Sequence, residues 1–166
     1  MKRHLILIAF ACVAATPRSP NLLRDALTPV AAIVPGKALA LSGTTDGKKA
    51  VSAQIDSAKT DARLTHIAVS QDGHALLLPE VAYADMKGAN RAWLAERGAL
   101  TTLVIEGVDA GKDWRLALEF HPKQLWLRRL SQEGVNRDAF TYFDRDDATP
   151  QRIQWRRSYE HGFNQD

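Results

Sequence analysis

The chain has 166 residues, of which 45% are apolar and 25% charged, with 10 Gly and 7 Pro. This composition is typical of one globular domain and excludes a disordered, collagen-like or disulfide-stapled chain. The formal net charge is +3, but the segment from residue 37 onward holds 18 basic and 18 acidic residues. Electrostatic recognition by this domain must therefore depend on local arrangements of charge.

Residues 1–15 predict a secretory signal peptide. A basic start is followed by the apolar run Leu5–Ala11 and by small residues that end at Ala15. The run is far shorter than the roughly 20 residues that span a bilayer, so we expect no transmembrane span. We expect cleavage near Ala15 and a periplasmic or secreted protein. A minority alternative is a lipid anchor, because Ala9–Cys12 weakly resembles the motif that precedes an acylated cysteine.

Cys12 is the single cysteine of the chain. Cleavage after Ala15 removes it, so the mature protein would have no disulfides, no cysteine nucleophile and no cysteine-ligated zinc. Residues 16–36 contain four of the seven prolines and predict a linker, which could also pack in part against the domain. Residues 37–166 would then form a single β-rich domain.

From residue 37 the dominant hydrophobic period is two, which indicates half-buried strands. The clearest case is Trp114–His121, which places Trp114, Leu116, Leu118 and Phe120 on one face. Asp72-Gly73 is a dipeptide typical of tight hairpins. The other strand candidates are residues 38–41, 51–55, 63–70, 75–78, 100–106, 125–130, 139–143 and 152–155.

The connections between these segments are mostly too short for crossover helices. The sequence therefore predicts a mainly β fold, an antiparallel sandwich or partly open barrel of about eight short strands. Residues 79–97 lack the alternation and predict one or two short helices. Pro79 suits a first helical position and Asn90 could cap a second helix, while Gly88 and Gly98 could end the two.

Catalytic chemistry finds little support in the sequence. The chain has no nucleophile elbow, dinucleotide-binding fingerprint or phosphate-binding loop, so we assign no catalytic residue and no cofactor and favour a protein that is not an enzyme. One enzymatic alternative is a glycan-active hydrolase that uses two carboxylates near residues 80–96, the candidates being Glu80, Asp85 and Glu96.

Metal binding is also disfavoured. We interpret the histidines of the domain as residues of strands and turns, although His66, His74 and His121 would approach one another if their strands were neighbours. The acidic run 144–147 lacks the glycine and the distal glutamate of a calcium-binding EF-hand loop and is interpreted as a solvated turn. No metal ligand is assigned.

Tryptophan, tyrosine and arginine are concentrated after residue 125, and these residue types dominate the hot spots of protein interfaces. They predict a non-catalytic module that binds another protein of the cell envelope, as inhibitors and immunity proteins do, and not nucleic acid. A purely structural interpretation is that the tryptophans are core residues and the arginines protect edge strands. A third hypothesis is a carrier of a small apolar or anionic ligand inside a barrel. The candidate binding residues are Trp126, Arg128, Arg129, Arg152, Trp155, Arg156, Arg157 and Tyr159.

Overall fold

The computed structural model describes residues 25–98, 100–121, 124–131, 134–141 and 151–156, with side chains through Phe120 and for residues 125–129. These residues form eleven strands and a single-turn 3₁₀ helix, Glu80–Ala82. The strands are β1 (Ala31–Ala32), β2 (Leu39–Thr44), β3 (Ala50–Ser57), β4 (Leu64–Gln71), β5 (His74–Leu77), β6 (Ala89–Arg97), β7 (Leu100–Asp109), β8 (Lys112–His121), β9 (Gln124–Ser131), β10 (Gly134–Thr141) and β11 (Gln151–Arg156).

The strands form two antiparallel sheets. The small sheet has the order β2-β3-β4-β5, and the large sheet has the order β1-β6-β7-β8-β9-β10-β11. The mainly β, antiparallel fold class predicted from the sequence is thus confirmed. Each predicted strand overlaps a strand of the structure, although candidate 139–143 overlaps only the end of β10, and residues 142 and 143 lie outside the described residues. Within the described part of the chain, no helix has the length and apolarity needed to cross a bilayer.

The two sheets pack face to face around one apolar core. Ile55 and Ile67 from the small sheet and Leu103, Leu116 and Leu118 from the large sheet are all 0% exposed. Their burial follows the alternation in the sequence, since every second residue of a strand faces the partner sheet. Each such side chain stabilises the fold by about 1.5–3 kcal/mol relative to an exposed one.

The second predicted helix is wrong, because residues 89–97 form strand β6. Ala92, Trp93, Leu94 and Ala95 are all 1% exposed or less, so the strand is buried on both of its faces. A strand buried on both faces loses the polar and apolar alternation by which strands are recognised in a sequence. The first predicted helix, which begins at Pro79, corresponds to the short 3₁₀ helix Glu80–Ala82.

The hairpin between β4 and β5 forms as the sequence predicts. Asp72 and Gly73 have φ values of 52° and 81°. Two consecutive positive φ values are those of the tight turn whose twist matches that of antiparallel strands. The turn fixes the register in which Gln71 pairs with His74.

The described part of the proline-rich stretch lies against the large sheet. We call residues 25–33 the strap. It runs along β6, beginning with a bridge between Ala26 and Ala95 and ending with β1, which pairs with Arg91 and Ala92. Ile33 is 5% exposed and belongs to the core. This half of the predicted linker therefore contributes to the fold.

Tyr83 ties the loop after the 3₁₀ helix to the small sheet. Its hydroxyl accepts a hydrogen bond from the Ile67 amide at 3.2 Å and donates one to the Leu78 carbonyl at 3.4 Å. The side chain is 2% exposed. Burial raises the pKa of Tyr83, because the phenolate loses its hydration in the core.

Candidate binding surface

The outer face of the large sheet, which is turned away from the small sheet, carries most of the arginines of the described residues. In β8 the side chains of Leu116, Leu118 and Phe120 face the core. The alternate residues Arg115 and Glu119 therefore belong to the outer face. Strand alternation places the other charged residues of this face in the same way: Arg91 and Arg97 of β6, Glu106 of β7, Asp113 of β8 and Arg128 of β9.

At the centre of this face, two arginines hold one carboxylate. Glu106 pairs in register with Arg91 on one side and with Arg115 on the other. The Arg91 Nε and Nη2 atoms lie 2.6 and 2.5 Å from Oε2, and the Arg115 Nε and Nη2 atoms lie 2.8 and 2.7 Å from Oε1. Because each oxygen of Glu106 accepts from a different arginine, this cluster joins β6, β7 and β8.

A small apolar cluster lies beside the ion pairs. Trp93, Ala95 and Val104 are 0–1% exposed, although they face away from the main core. The Arg91 guanidinium lies 5.9 Å from the centroid of the Trp93 ring, within the range of a cation–π interaction. Trp93 is therefore a structural residue of the sheet.

A pocket of about 210 Å³ opens next to the Glu106 cluster. Its charged lining consists of two arginines and two carboxylates, so it has no net charge. Such a lining offers no electrostatic preference for a charged ligand. The residues that line it are Asn90, Arg91, Glu106, Gly107, Val108, Asp113, Trp114 and Arg115.

The candidate residues of β9 divide between the two faces of the sheet. Leu125 and Leu127 are buried in the core, while Trp126 is 38% exposed on the outer face. Arg128 lies on the same face as Trp126, with its Nη1 atom 3.1 Å from Glu119 Oε1. Arg129 lies on the core side, 2.6 Å from Asp85 Oδ2. Consecutive residues of a strand point to opposite faces, so Arg128 and Arg129 cannot form one patch.

The register across β9, β10 and β11 brings three arginines into one row. Arg128 pairs with Arg137, and Arg137 pairs with Arg156. We call these three residues the arginine row. Neighbouring strands are about 4.8 Å apart, which sets the spacing of the row. Sequence reasoning identifies Arg128 and Arg156 but misses Arg137, because only the register shows that it stands between them.

The remaining candidates lie elsewhere. The register places Trp155 beside Asp138, which pairs with Leu127, and places Arg152 beside Phe140, which pairs with Leu125. These are the rows of the buried leucines of β9, not the row of Arg128. Arg157 and Tyr159 lie outside the described residues.

The three carboxylates that the sequence offers for glycoside hydrolysis have different partners in the structure. Glu96 lies seven residues beyond Ala89, or about 23 Å along β6, whereas Asp85 lies before that strand begins. Each has a different partner: Arg63 for Glu80 at 3.4 Å, Arg129 for Asp85 at 2.6 Å, and the Asp46 amide for Glu96 at 2.9 Å. This placement gives no support to a catalytic pair formed by Glu96 with either of the others.

The described residues also give little support to a metal site or to a ligand carrier. No group of three His, Cys, Asp or Glu side chains among them could hold a metal ion. Between the sheets, a carried ligand would need space that Tyr83, Trp114 and Phe120 fill, each 6% exposed or less. The groove of about 430 Å³ on the outer face of the small sheet is lined mainly by small residues, such as Ser42, Ser52 and Ser70.

Comparison with known proteins returned no relative: no family model, no curated protein and no solved structure is significantly similar to this chain.

Proposed function

We propose that this protein is an exported, non-catalytic module that binds an acidic surface of another protein in the cell envelope, in the manner of an inhibitor or immunity protein. The arginine row carries the proposal. Like charges at directly paired positions of an antiparallel sheet destabilise the pairing. Glu119 offsets this cost at Arg128, whereas Arg137 and Arg156 also stand at directly paired positions, and an anionic partner would offset the cost of bringing their charges together.

The surroundings of Arg128 fit the same role. Trp126 stands two residues before it on the same face and is 38% exposed, although tryptophan is usually more fully buried. Tryptophan and arginine are among the residue types most enriched in interface hot spots. Arginine binds carboxylates through two parallel hydrogen bonds, which favours an acidic protein surface as the partner.

The test is the capture of a partner from envelope extract, followed by measurement of its Kd with purified proteins. We expect Arg137→Ala with Arg156→Ala to raise the Kd at least about tenfold, because each arginine would bind a partner carboxylate. A matched control, Lys49→Ala with Lys59→Ala, removes the same charge from exposed positions next to β3 of the small sheet and should leave the Kd nearly unchanged.

Two results would count against the proposal. Equal Kd values for the double arginine variant and the wild type would exclude the arginine row as the binding surface. If no envelope protein is retained by the wild type, the binding function itself is contradicted. Binding should also weaken when the ionic strength rises from about 0.05 M to about 0.5 M, because salt screens exposed charge pairs.

Export is part of the same proposal and rests on the sequence of residues 1–15, which lie outside the described part of the chain. Mass spectrometry of the mature N-terminus tests it. A chain that begins at Thr16 supports signal-peptide cleavage near Ala15, an acylated Cys12 supports the lipid anchor, and an intact Met1 in the secreted fraction contradicts both.

A further inference from the structure

Strand β6 is paired extensively with one neighbour and only sparsely with the other. On one side, β7 pairs with it in a register that runs from Ala89 to Arg97. On the other side lies the strap, whose regular strand β1 has only two residues. The other backbone hydrogen bonds between the strap and β6 are Glu96 N to Asp25 O at 2.9 Å, Leu27 N and Thr28 N to Leu94 O at 2.7 and 3.2 Å, and Ile33 N to Asn90 O at 2.9 Å.

The ladder between the strap and β6 is interrupted in its middle. The Leu94 amide donates to the Thr28 side-chain hydroxyl at 3.0 Å and not to a backbone carbonyl. Pro29 follows, and proline has no amide hydrogen to donate. The strap is therefore held partly by side chains, including Leu27, which lies against Gly43 of β2 and the edge of the small sheet.

The edge that the strap covers would be unfavourable in water. Ala92 and Leu94 belong to the core and Trp93 and Ala95 to the outer cluster, all 1% exposed or less. Without the strap, β6 would present unpaired backbone groups on a strand that is apolar on both faces. Such an edge is a template for the strand of another chain.

A defined turn joins the strap to the domain. The Lys37 amide donates to the Val34 carbonyl at 3.0 Å, and Gly36 has a φ of +76°. With Pro35 at the second position and glycine at the third, this is a type II β-turn. Rotation about ψ of Pro35 and about the backbone of Gly36 would move the strap away from β6 and break the bond from the Gly36 amide to the Ser57 carbonyl at 3.0 Å, but would leave the strand pairing of β2 to β5 in place.

We propose that the β6 edge is an acceptor site for the strap of a second copy of this chain, so that two copies exchange straps and form a symmetric dimer. Every contact of the strap with β6 and with Gly43 is the same in the exchanged form, because the two copies are identical. The two forms differ in the conformation of the turn at residues 34–37 and in the free energy of association.

A disulfide between two different copies tests this directly. Ala26 and Ala95 are bridge partners, and Cα atoms at such positions lie about 4.5–5.5 Å apart, within the range that a disulfide spans. Full-length Ala26→Cys and Ala95→Cys chains, both with Cys12→Ser, are mixed, unfolded, refolded together and oxidised. We expect a covalent heterodimer.

The control replaces Ala95→Cys by Ala75→Cys, which lies exposed on β5 of the small sheet. Only random collisions would join that pair to Ala26→Cys. If the heterodimer yield of the test pair does not exceed that of the control pair, strap exchange is overturned, even if the protein dimerises by another route.

A second experiment changes the turn at residues 34–37 and measures the equilibrium between monomer and dimer. In Gly36→Ala the positive φ is unfavourable, and the new Cβ would lie 3.1 Å from Lys59 Cβ. The closed turn is then disfavoured, and we expect the ratio of dimer to monomer to rise about tenfold. Gly73→Ala places the same strain at a φ of +81° in the β4–β5 hairpin and should not change the ratio. Equal ratios in both variants, measured by light scattering, would also contradict the proposal.

Discussion

The indole of Trp114 lies directly over Gly107, its partner in the register of β7 and β8. A Cβ at Gly107 would stand 2.2 Å from Trp114 Cζ2 and 2.7 Å from the Gly88 carbonyl oxygen. The indole Nε1 donates to the Lys87 carbonyl at 2.7 Å, so the ring is fixed in place. Glycine at position 107 is therefore required by the close approach of a neighbouring side chain.

Gly107→Ala is expected to destabilise the protein by about 1–3 kcal/mol, because the ring or the strand must move to admit the methyl group. Gly47→Ala is the matched control, since its new Cβ would meet only Thr45 Oγ1 at 3.7 Å. Urea denaturation measures both. Equal denaturation midpoints for the two variants would show that the Trp114 ring can move aside without loss of stability.

The burial of Tyr83 should make the free energy of unfolding depend on pH in the alkaline range. Since burial raises its pKa in the folded state, the tyrosine of the unfolded chain ionises first, at a pH of about 10. The contribution is therefore fully present below pH 10 and is lost as the pH rises through the folded-state pKa. The free energy of unfolding should fall more steeply above pH 10 in the wild type than in Tyr83→Phe. Parallel curves would contradict this prediction.

At neutral pH, Tyr83→Phe should itself lower the free energy of unfolding by about 1–3 kcal/mol. The substitution removes the hydroxyl and leaves the buried Ile67 amide without its acceptor. Amide hydrogen exchange at Ile67 should become faster. An unchanged exchange rate would mean that another acceptor replaces the hydroxyl.

Glu106→Gln tests the charge cluster on the outer face. The substitution keeps the size of the side chain but leaves Arg91 and Arg115 facing each other without a carboxylate between them. Because the Glu106 side chain is only 11% exposed, we expect a loss of about 1–3 kcal/mol. Glu80→Gln is the control, since that carboxylate is 62% exposed and its single ion pair with Arg63 contributes under about 1 kcal/mol. Equal losses in thermal unfolding would contradict the structural role of Glu106.

Thr28→Val tests the side-chain bond between the strap and β6. Valine has the same shape as threonine but cannot accept a hydrogen bond from the Leu94 amide. We expect faster hydrogen exchange at Leu94 and a loss of about 1–2 kcal/mol. Thr44→Val, at an exposed position of β2, should change neither quantity. If the Leu94 amide of Thr28→Val exchanges no faster than in the wild type, the backbone hydrogen bonds of the strap are sufficient to hold it against β6.

Residues 89–97 are predicted as a helix but form strand β6, because the local sequence does not distinguish the two. Gly88 and Gly98 indicate helix ends in the sequence because glycine favours positive φ, and their φ values are indeed +67° and +60°. The same backbone conformation also serves the approach to a strand and a hairpin turn, so the glycines do not distinguish the two. The apolar run Ala92–Ala95 between them has no alternation to decide the question.

The candidate binding surface is only partly accessible from the sequence. The enrichment of tryptophan and arginine after residue 125 is visible in the chain, whereas the structure separates Arg128 from Arg129, which the sequence analysis groups together. The alignment of Arg128, Arg137 and Arg156 is not visible, because it depends on how far each strand slides against its neighbour.

The sequence by itself determined the fold class, the approximate positions of eight strands, the buried face of β8 and the Asp72-Gly73 hairpin. Each of these depends on local period or local turn chemistry, which a few neighbouring residues specify. The tertiary structure decided the identity of β6, the attachment of the strap, the Glu106 cluster and the arginine row. These depend on which strands become neighbours and in which register, and that choice is made by the burial of both sheets against each other rather than by any single segment.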